Sequence, residues 1–329
     1  MAKSLMRAAL LGTYGQPQSF SVQQVPTPVP TSNQLLVKVA ASPINPSDLG
    51  FIMGKYAFKR PLPAIPGNEC SGTVALDPSG TMQGRRVACL SESTAQGAWA
   101  EYVLTARENA VLVPDGVNLR QAACFFVNPL TAAMFRHVLL SEGHKAVLQT
   151  AAGSALGKML TRVCARLNLP IVNIVRRPAQ AASLQAEHVL CSSDSHFPTQ
   201  LLSTWRRLQV TCAFDAVSGD LSGQVLTALE DGGVLYMYGS LSEQPANNML
   251  AADFIFKRKR AAGLFLTAWL RTLGREERLG LYRDTMADLP KLYATEVSRE
   301  FPLEEVQKAL DFYQNNMSLG KVLISPGSS

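Results

Sequence analysis

A turn rich in glycine and alanine, between an apolar run and a helical segment, is the strongest candidate for a binding site. Residues 146–150 have the composition of a buried strand, and residues 158–167 have helical periodicity. Backbone N–H groups at the start of such a helix can bind the pyrophosphate of a dinucleotide, and Gly157 is placed for close packing of helix on strand. Because alanines replace two glycines of the G-x-G-x-x-G fingerprint, an ordinary strand–helix turn is the alternative.

Two arginines stand where a second strand of the same βαβ unit ends. Residues 171–175 form an apolar run, and Arg176 and Arg177 follow it directly. An acidic residue at this place binds the ribose hydroxyls of NAD, whereas arginines suit the 2′-phosphate of NADP. The pair therefore favours NADP, with two solvated arginines as the alternative.

The elements that would position these residues change in character along the chain. The first 120 or so residues are rich in Pro and Gly and carry short β-type runs at 35–40, 70–75 and 86–90. Residues 119–140 are rich in Ala and predict a helix. Further along, strand candidates alternate with helical segments, at 171–175, 187–190, 210–216 and 233–238. This order predicts an α/β chain with a doubly wound parallel sheet beside a β-rich domain.

Composition excludes several classes of protein. The 329 residues carry a net charge of +6, and 47% of them are hydrophobic. This hydrophobic content is sufficient for a sizeable core and argues against disorder. No apolar run approaches the length of a membrane span. The six cysteines stand singly, so neither a disulfide framework nor a Cys/His zinc cage is expected. No nucleic-acid motif accompanies the basic run at 257–260. We expect a reduced, cytoplasmic protein.

Segments at 42–48 (SPINPSD), 54–56 (GKY) and 66–69 (PGNE) resemble the N-terminal signature of the medium-chain dehydrogenase/reductase superfamily. Zinc-dependent members carry Cys and His ligands in this region, where this chain has Asn45 and Asn68. The four-cysteine loop of the structural zinc is missing as well. The resemblance therefore implies a zinc-free member that does not oxidise alcohols with a metal.

The resemblance covers almost the whole chain and implies its architecture. A GroES-like β-rich catalytic domain would comprise residues 1–121 with 268–329, and a doubly wound Rossmann domain that binds NADPH would comprise 122–267. The segment at 127–132 (VNPLTA) and the strand with its basic end at 172–177 (VNIVRR) are similar to mitochondrial-type 2-enoyl thioester reductases. NADPH:quinone oxidoreductases are the second branch that fits.

Site residues are carried over from the resemblance position by position. Tyr56 would be the catalytic tyrosine and Trp269 would line the substrate pocket, and no metal is expected. The residues expected to bind the cofactor are Asn45, Asn128, Thr131, Gly153, Ser154, Ala155, Leu156, Gly157, Arg176, Arg177, Tyr238, Gly239, Ser240, Leu241, Leu264, Phe265, Leu266 and Lys321.

The chemistry expected of this set is hydride transfer to an activated C=C bond. Reduction of an α,β-unsaturated thioester needs a hydride, a donor for the charge that develops on the thioester oxygen, and a proton, but no metal. A Tyr56 hydroxyl could supply the donor and the proton, although a loop tyrosine packed on its own domain is the alternative. Glu69 is read as a buried structural carboxylate rather than a proton relay. A quinone reductase and a non-catalytic NADPH-binding protein are the other functions considered. The resemblance also implies a homodimer.

Overall fold

The computed structural model describes residues 4–91 and 96–327, and the chain divides into two compact units. The first unit consists of Met1–Leu130 with Leu279–Ser329, and the second consists of Thr131–Arg278. The domain boundaries expected from the sequence stay a prediction.

The first unit is built mainly from antiparallel strands. They are β1 (Leu5–Leu11), β2 (Phe20–Pro26), β3 (Gln34–Pro43), β4 (Glu69–Leu76), β5 (Arg86–Leu90), β6 (Tyr102–Ala106) and β7 (Ala110–Leu112), joined from the C-terminal part by β14 (Val297–Pro302) and β15 (Lys321–Ser325). In the described residues the larger sheet has the order β14-β15-β3-β4-β5-β7, with β6 also paired to β3, and β1 pairs with β2. The tail strand β15 thus lies beside β3, which carries the chain toward Asn45.

A parallel sheet forms the centre of the second unit. Its strands are β8 (Val147–Gln149), β9 (Ile171–Val175), β10 (His188–Cys191), β11 (Cys212–Asp215), β12 (Val234–Met237) and β13 (Arg260–Gly263). Their order among the described residues is β10-β9-β8-β11-β12-β13, all parallel. This is the doubly wound order 3-2-1-4-5-6, which the alternation of strands and helices predicted.

Helices connect and cover these strands. They are α1 (Pro46–Ile52), α2 (Leu119–Ala122), α3 (Asn128–Ser141), α4 (Ala155–Arg166), α5 (Pro178–Ser183), α6 (Phe197–Leu208), α7 (Asp220–Thr227), α8 (Ala251–Ile255), α9 (Leu266–Thr272), α10 (Arg275–Ala287) and α11 (Val306–Asn315). Each unit buries its own apolar core. Trp99, Phe51 and Ile44 are fully buried in the first, and Leu148 and Val172 are fully buried in the second. Burial of this kind stabilises each sheet by about 25 cal/mol for every Å² of apolar surface removed from water.

One expected helix is divided in two. The Ala-rich segment 119–140 forms the short helix α2 and the longer helix α3, with a turn at 123–127 between them. The N–H groups of Phe126 and Val127 bond to the Glu69 carboxylate instead of to helix carbonyls. Pro129 suits the first turn of α3, because a proline has no N–H that would need a helix carbonyl. A partner distant in sequence therefore breaks a segment whose local composition favours a helix.

Candidate functional site

The turn after β8 folds as a binding loop at the start of a helix. Ser154 is the N-cap of α4, and its hydroxyl accepts a hydrogen bond from the Gly157 N–H at 3.0 Å. A Cβ on Gly157 would lie 2.5 Å from the carbonyl oxygen of Ala152, so only glycine allows the helix to pack this closely. Ala151 has a φ of 51°. Ser154 thus caps the start of α4, where the first N–H groups of a helix have no carbonyl partner within the helix.

Arg176 and Arg177 lie at the carboxyl end of β9, and both are exposed. Arg177 is the N-cap of α5, and its N–H donates to the Gln180 side chain at 3.1 Å. The Arg176 carbonyl accepts from the Cys191 thiol at 3.4 Å, which ties the end of β9 to the neighbouring β10. The backbone is therefore fixed while both guanidinium groups face solvent, as a site for a phosphate group needs.

A buried polar network lies where the strand order of the second unit reverses. Thr150 follows β8 and donates to the Asp215 carboxylate at 2.7 Å, and Ser222 on α7 donates to the same carboxylate at 2.5 Å. The N–H of Val217 bonds to Asp215 at 2.8 Å, and the N–H of Ser218 bonds to it at 3.2 Å. The network holds the strand ends at the crevice where doubly wound sheets bind ligands. None of these residues except the turn itself was expected from the sequence.

The residues expected at the nicotinamide end follow β12 and β13. Tyr238 packs edge-to-face on Phe135, with ring centroids 4.9 Å apart, and burial, together with the charge of Asp215, raises the pKa of its hydroxyl. Leu241 bonds through its N–H to the Ala216 carbonyl at 2.9 Å, and Leu264 bonds to Met237 at 2.8 Å. These bonds place both segments at the same edge of the sheet as the turn after β8.

Five more of the expected residues belong to these segments or to the helix α9 that follows. A Cβ on Gly239 would meet the Ala216 carbonyl oxygen at 3.0 Å, and Ser240 and Leu241 are exposed. Phe265 is the N-cap of α9, and Leu266 is the first residue of that helix. Trp269 lies in α9 and contacts the ring of His137 at a centroid distance of 5.5 Å.

In the first unit, Asn45 and Lys321 meet in a buried network around Glu69. The Lys321 ammonium donates to the Asn45 side-chain oxygen, and the Asn45 amide donates to Glu69 Oε1 at 2.9 Å. Glu69 Oε2 accepts from the N–H groups of Phe126 at 2.7 Å and Val127 at 3.1 Å. Burial raises the pKa of Glu69 to about 7, against the lowering effect of Lys321 and of these donors. The network connects β15, β4 and the start of α3.

Asn128 is the first residue of α3, and Thr131 lies one turn further. Both are largely buried. Because the two N–H groups just before Asn128 bond to Glu69, the carboxylate fixes the backbone from which these two side chains project. Asn45 and Lys321, by contrast, bond to each other and to Glu69.

Tyr56 lies in the loop after α1 and is half-buried. Its ring packs edge-to-face on Phe58, with centroids 5.2 Å apart. Burial, and then the negative charge of Asp48, raise the pKa of the Tyr56 hydroxyl. Asp48 is itself buried, which raises its pKa to about 6, and it accepts from the Asn45 N–H at 2.8 Å. The Tyr56 hydroxyl is therefore protonated at neutral pH and able to donate.

Within residues 4–91 and 96–327, no group of three or more His, Cys, Asp or Glu side chains is arranged to hold a metal ion. Nor does that part of the chain contain a helix with the length and apolarity that crossing a membrane requires.

Comparison with known proteins assigns the family. Residues 31–115 match the alcohol dehydrogenase GroES-like domain. A mitochondrial enoyl-acyl-carrier-protein reductase of Caenorhabditis elegans is 30% identical over 73% of this chain and 71% of its own length. The chain belongs to the medium-chain dehydrogenase/reductase superfamily. The corresponding reductase of Xenopus tropicalis is 28% identical over 92% of this chain and 91% of its own length.

A solved structure extends this comparison to the whole fold. A Mesorhizobium loti protein classed as an NADPH:quinone reductase superposes with a TM-score of 0.91 and 27% identity, covering 99% of this chain and all of the other. The expected superfamily, its GroES-like and doubly wound α/β fold, and the assignment as an oxidoreductase are thereby confirmed. The individual site residues stay predictions.

Sequence reasoning missed several residues that hold the site of this medium-chain dehydrogenase/reductase together. Asp215 and Ser222 were not expected, and Glu69 was expected only as a buried carboxylate. The one available signal was a polar side chain directly at the end of a buried apolar run, as Asp215 is at the end of β11. Such a residue must find partners when it is buried, because an unpaired polar group in the interior costs about 1–3 kcal/mol.

Proposed function

We propose that this chain is an NADPH-dependent reductase of an activated C=C bond, with a 2-enoyl thioester as its substrate. The observation that carries the proposal is the half-buried Tyr56, which is protonated at neutral pH and whose ring packs on Phe58. A proton donor of this kind is what reduction of an unsaturated thioester requires of the protein. The curated relatives named above are enoyl-acyl-carrier-protein reductases, which supports the same substrate class.

The second unit fits NADPH. The cradle formed by Gly153, Ser154 and the first N–H groups of α4 would bind the pyrophosphate, and Gly157 keeps that helix close to the strand. Arg176 and Arg177 would bind the 2′-phosphate. When bound, NADPH supplies the hydride.

The roles of this chain's own residues follow from their surroundings. The Tyr56 hydroxyl donates a hydrogen bond to the thioester oxygen as negative charge develops there, and it then transfers its proton to the α-carbon of the resulting enolate. The tyrosinate regains a proton from solvent. Asp48 favours the protonated form of Tyr56 before that step because its negative charge disfavours a phenolate. Glu69 holds the backbone of Asn128, and Trp269 lines the acyl pocket.

A test compares two classes of acceptor with the purified protein. Loss of the reduced nicotinamide absorbance is followed with crotonyl-CoA, with a longer 2-enoyl-CoA, and with 9,10-phenanthrenequinone. We expect oxidation with the enoyl thioesters, reduced about 100-fold or more in Tyr56→Phe. Oxidation with the quinone alone would assign the chain to the quinone reductases. Similarity to the Mesorhizobium loti structure supports that alternative.

Binding without turnover is the third outcome. NADPH binding with no oxidation by any acceptor would indicate a non-catalytic protein. The matched control is Tyr102→Phe, which changes a tyrosine of β6 in the same unit that has no proposed role in the reaction. This variant should retain the rate of the unchanged protein.

We also infer a homodimer formed through β13. In the described part of the second unit this strand is an edge of the parallel sheet, and an edge strand offers unpaired backbone groups to another chain. Ile255 and Phe256, just before it, are 67% and 79% exposed. Light scattering on the eluted protein should give twice the chain mass, and Ile255→Glu should give the mass of one chain. The cytoplasmic location stays a prediction.

A further inference from the structure

Arg60 is a buried cation in the loop that carries Tyr56. The residue is only 3% exposed. The Tyr14 hydroxyl fixes the backbone of Arg60. It accepts a hydrogen bond from the Arg60 N–H and donates one to the Arg60 carbonyl, each at 2.8 Å. An arginine is rarely buried unless its charge and its donors are used. Its position therefore calls for an explanation within the loop.

The guanidinium group of Arg60 joins several segments of the first unit. It donates to the Ile65 carbonyl at 2.9 Å and to the Ser91 hydroxyl at 3.2 Å. It also lies over two aromatic rings, 5.1 Å from the centroid of Phe51 and 5.4 Å from that of Phe58. Cation–π contacts of this kind stabilise a guanidinium group that has been removed from water. The planar guanidinium group donates hydrogen bonds and stacks on aromatic rings at the same time, which a lysine ammonium group does not do.

Phe58 connects this cation to Tyr56. The Phe58 ring contacts Phe51 at 5.9 Å and packs edge-to-face on Tyr56 at 5.2 Å. A Cβ on Gly50 would lie 3.7 Å from the Tyr56 ring, so α1 closes another side of that ring. The direction of the Tyr56 hydroxyl thus depends on a ring whose own place is fixed by Arg60.

We propose that Arg60 is the positioning residue for Tyr56: its guanidinium fixes Phe58, and Phe58 orients the tyrosine ring. This inference rests on the proposed function, in which Tyr56 donates the proton. Proton transfer needs heavy atoms within hydrogen-bond reach, and a displacement of about 1 Å at the donor can reduce a rate about 100-fold. Arg60 acts through Tyr56 and contacts no reacting atom itself.

Four variants test this role: Arg60→Met, Arg60→Lys, Tyr56→Phe and the double variant Arg60→Met with Tyr56→Phe. We expect Arg60→Met to lower kcat for an enoyl thioester about 10-fold or more, with the Kd for NADPH within twofold of the unchanged protein. Arg60→Lys retains the charge and should recover part of the loss. In the Tyr56→Phe background, Arg60→Met should cause no further loss, because the group that it orients is already missing.

The matched control is Arg107→Met. Arg107 is also an arginine of the first unit, but it pairs with the Asp77 carboxylate, outside the Tyr56 loop. Its kcat should stay unchanged. If Arg60→Met does not fold, Phe58→Leu replaces it, because that variant removes the ring between Arg60 and Tyr56 and leaves the Arg60 hydrogen bonds in place.

The outcomes separate the two proposals. A Tyr56→Phe protein with full turnover would overturn the proposed function, whatever Arg60 does. If Tyr56→Phe is impaired while Arg60→Met and Phe58→Leu retain full kcat, only the positioning role is wrong. An equal loss from Arg60→Met with and without the Tyr56 hydroxyl would also overturn it, because the effect would then not pass through Tyr56.

Discussion

Replacement of Glu69 by glutamine should remove a pH dependence from the stability of the first unit. Burial raises the pKa of Glu69 from its ordinary 4.5 to about 7 in the folded chain. A carboxyl group whose pKa is higher in the folded than in the unfolded protein contributes its full stabilisation of the fold at pH values below the unfolded pKa. That contribution is lost as the pH rises through the folded pKa. The free energy of unfolding should therefore fall by about 2–3 kcal/mol between pH 5 and pH 8 on account of Glu69.

The assay is urea unfolding of the unchanged protein and Glu69→Gln at pH 5, 6, 7 and 8, followed by tryptophan fluorescence. Asp48 titrates in both proteins, so the difference between their free energies of unfolding isolates Glu69. The unchanged protein should lose stability relative to the variant as the pH rises. A relative gain in stability with pH would refute the reasoning. It would mean that Lys321 and the three N–H donors outweigh burial.

Three further predictions concern the second unit. Ser154→Ala removes the N-cap of α4 and should lower the free energy of unfolding by about 1 kcal/mol in urea titrations, and it should weaken NADPH binding measured by fluorescence. Thr150→Val leaves the Asp215 carboxylate without one donor and the Ala216 N–H without its acceptor, and should cost about 2 kcal/mol in the same titrations. Arg176→Ala should raise the Kd for NADPH about 10-fold and leave that for NADH nearly unchanged, because only the 2′-phosphate distinguishes the two nucleotides.

The fold was predictable wherever its determinants are local. Ile171–Val175 is a strand over the same residues as its mainly apolar run, since a strand covered on both faces by helices is rich in apolar side chains. Its polar residue, Asn173, accepts a hydrogen bond from the Gln149 side chain. The turn after β8 was predictable for the same reason, because its glycine, serine and alanine residues are contiguous. The long helix expected at 119–140 was not realised as one element. Its break depends on Glu69, which is distant in the sequence.

The supporting residues could not be predicted because their partners are distant in the sequence. No pattern near Arg60 distinguishes a buried guanidinium from a solvated one, and its location depends on Tyr14 and on the Ser91 hydroxyl. Resemblance assigned Asn45 and Lys321 to cofactor binding, but it did not indicate that these two side chains bond to each other. A side chain's partners are set by the three-dimensional fold rather than by spacing along the chain.

Each unit uses a buried carboxylate to fix the backbone beside its proposed site residues. Glu69 accepts the N–H groups that precede Asn128, and Asp215 accepts those of Val217 and Ser218. A loop fixed only by its own backbone hydrogen bonds opens easily, whereas a buried side-chain acceptor from a distant segment adds hydrogen bonds of about 1 kcal/mol each. Site residues that follow such an acceptor are therefore already oriented before a ligand binds, which lowers the cost of binding. Substitution of either carboxylate should accordingly weaken ligand binding without removing any group that touches the ligand.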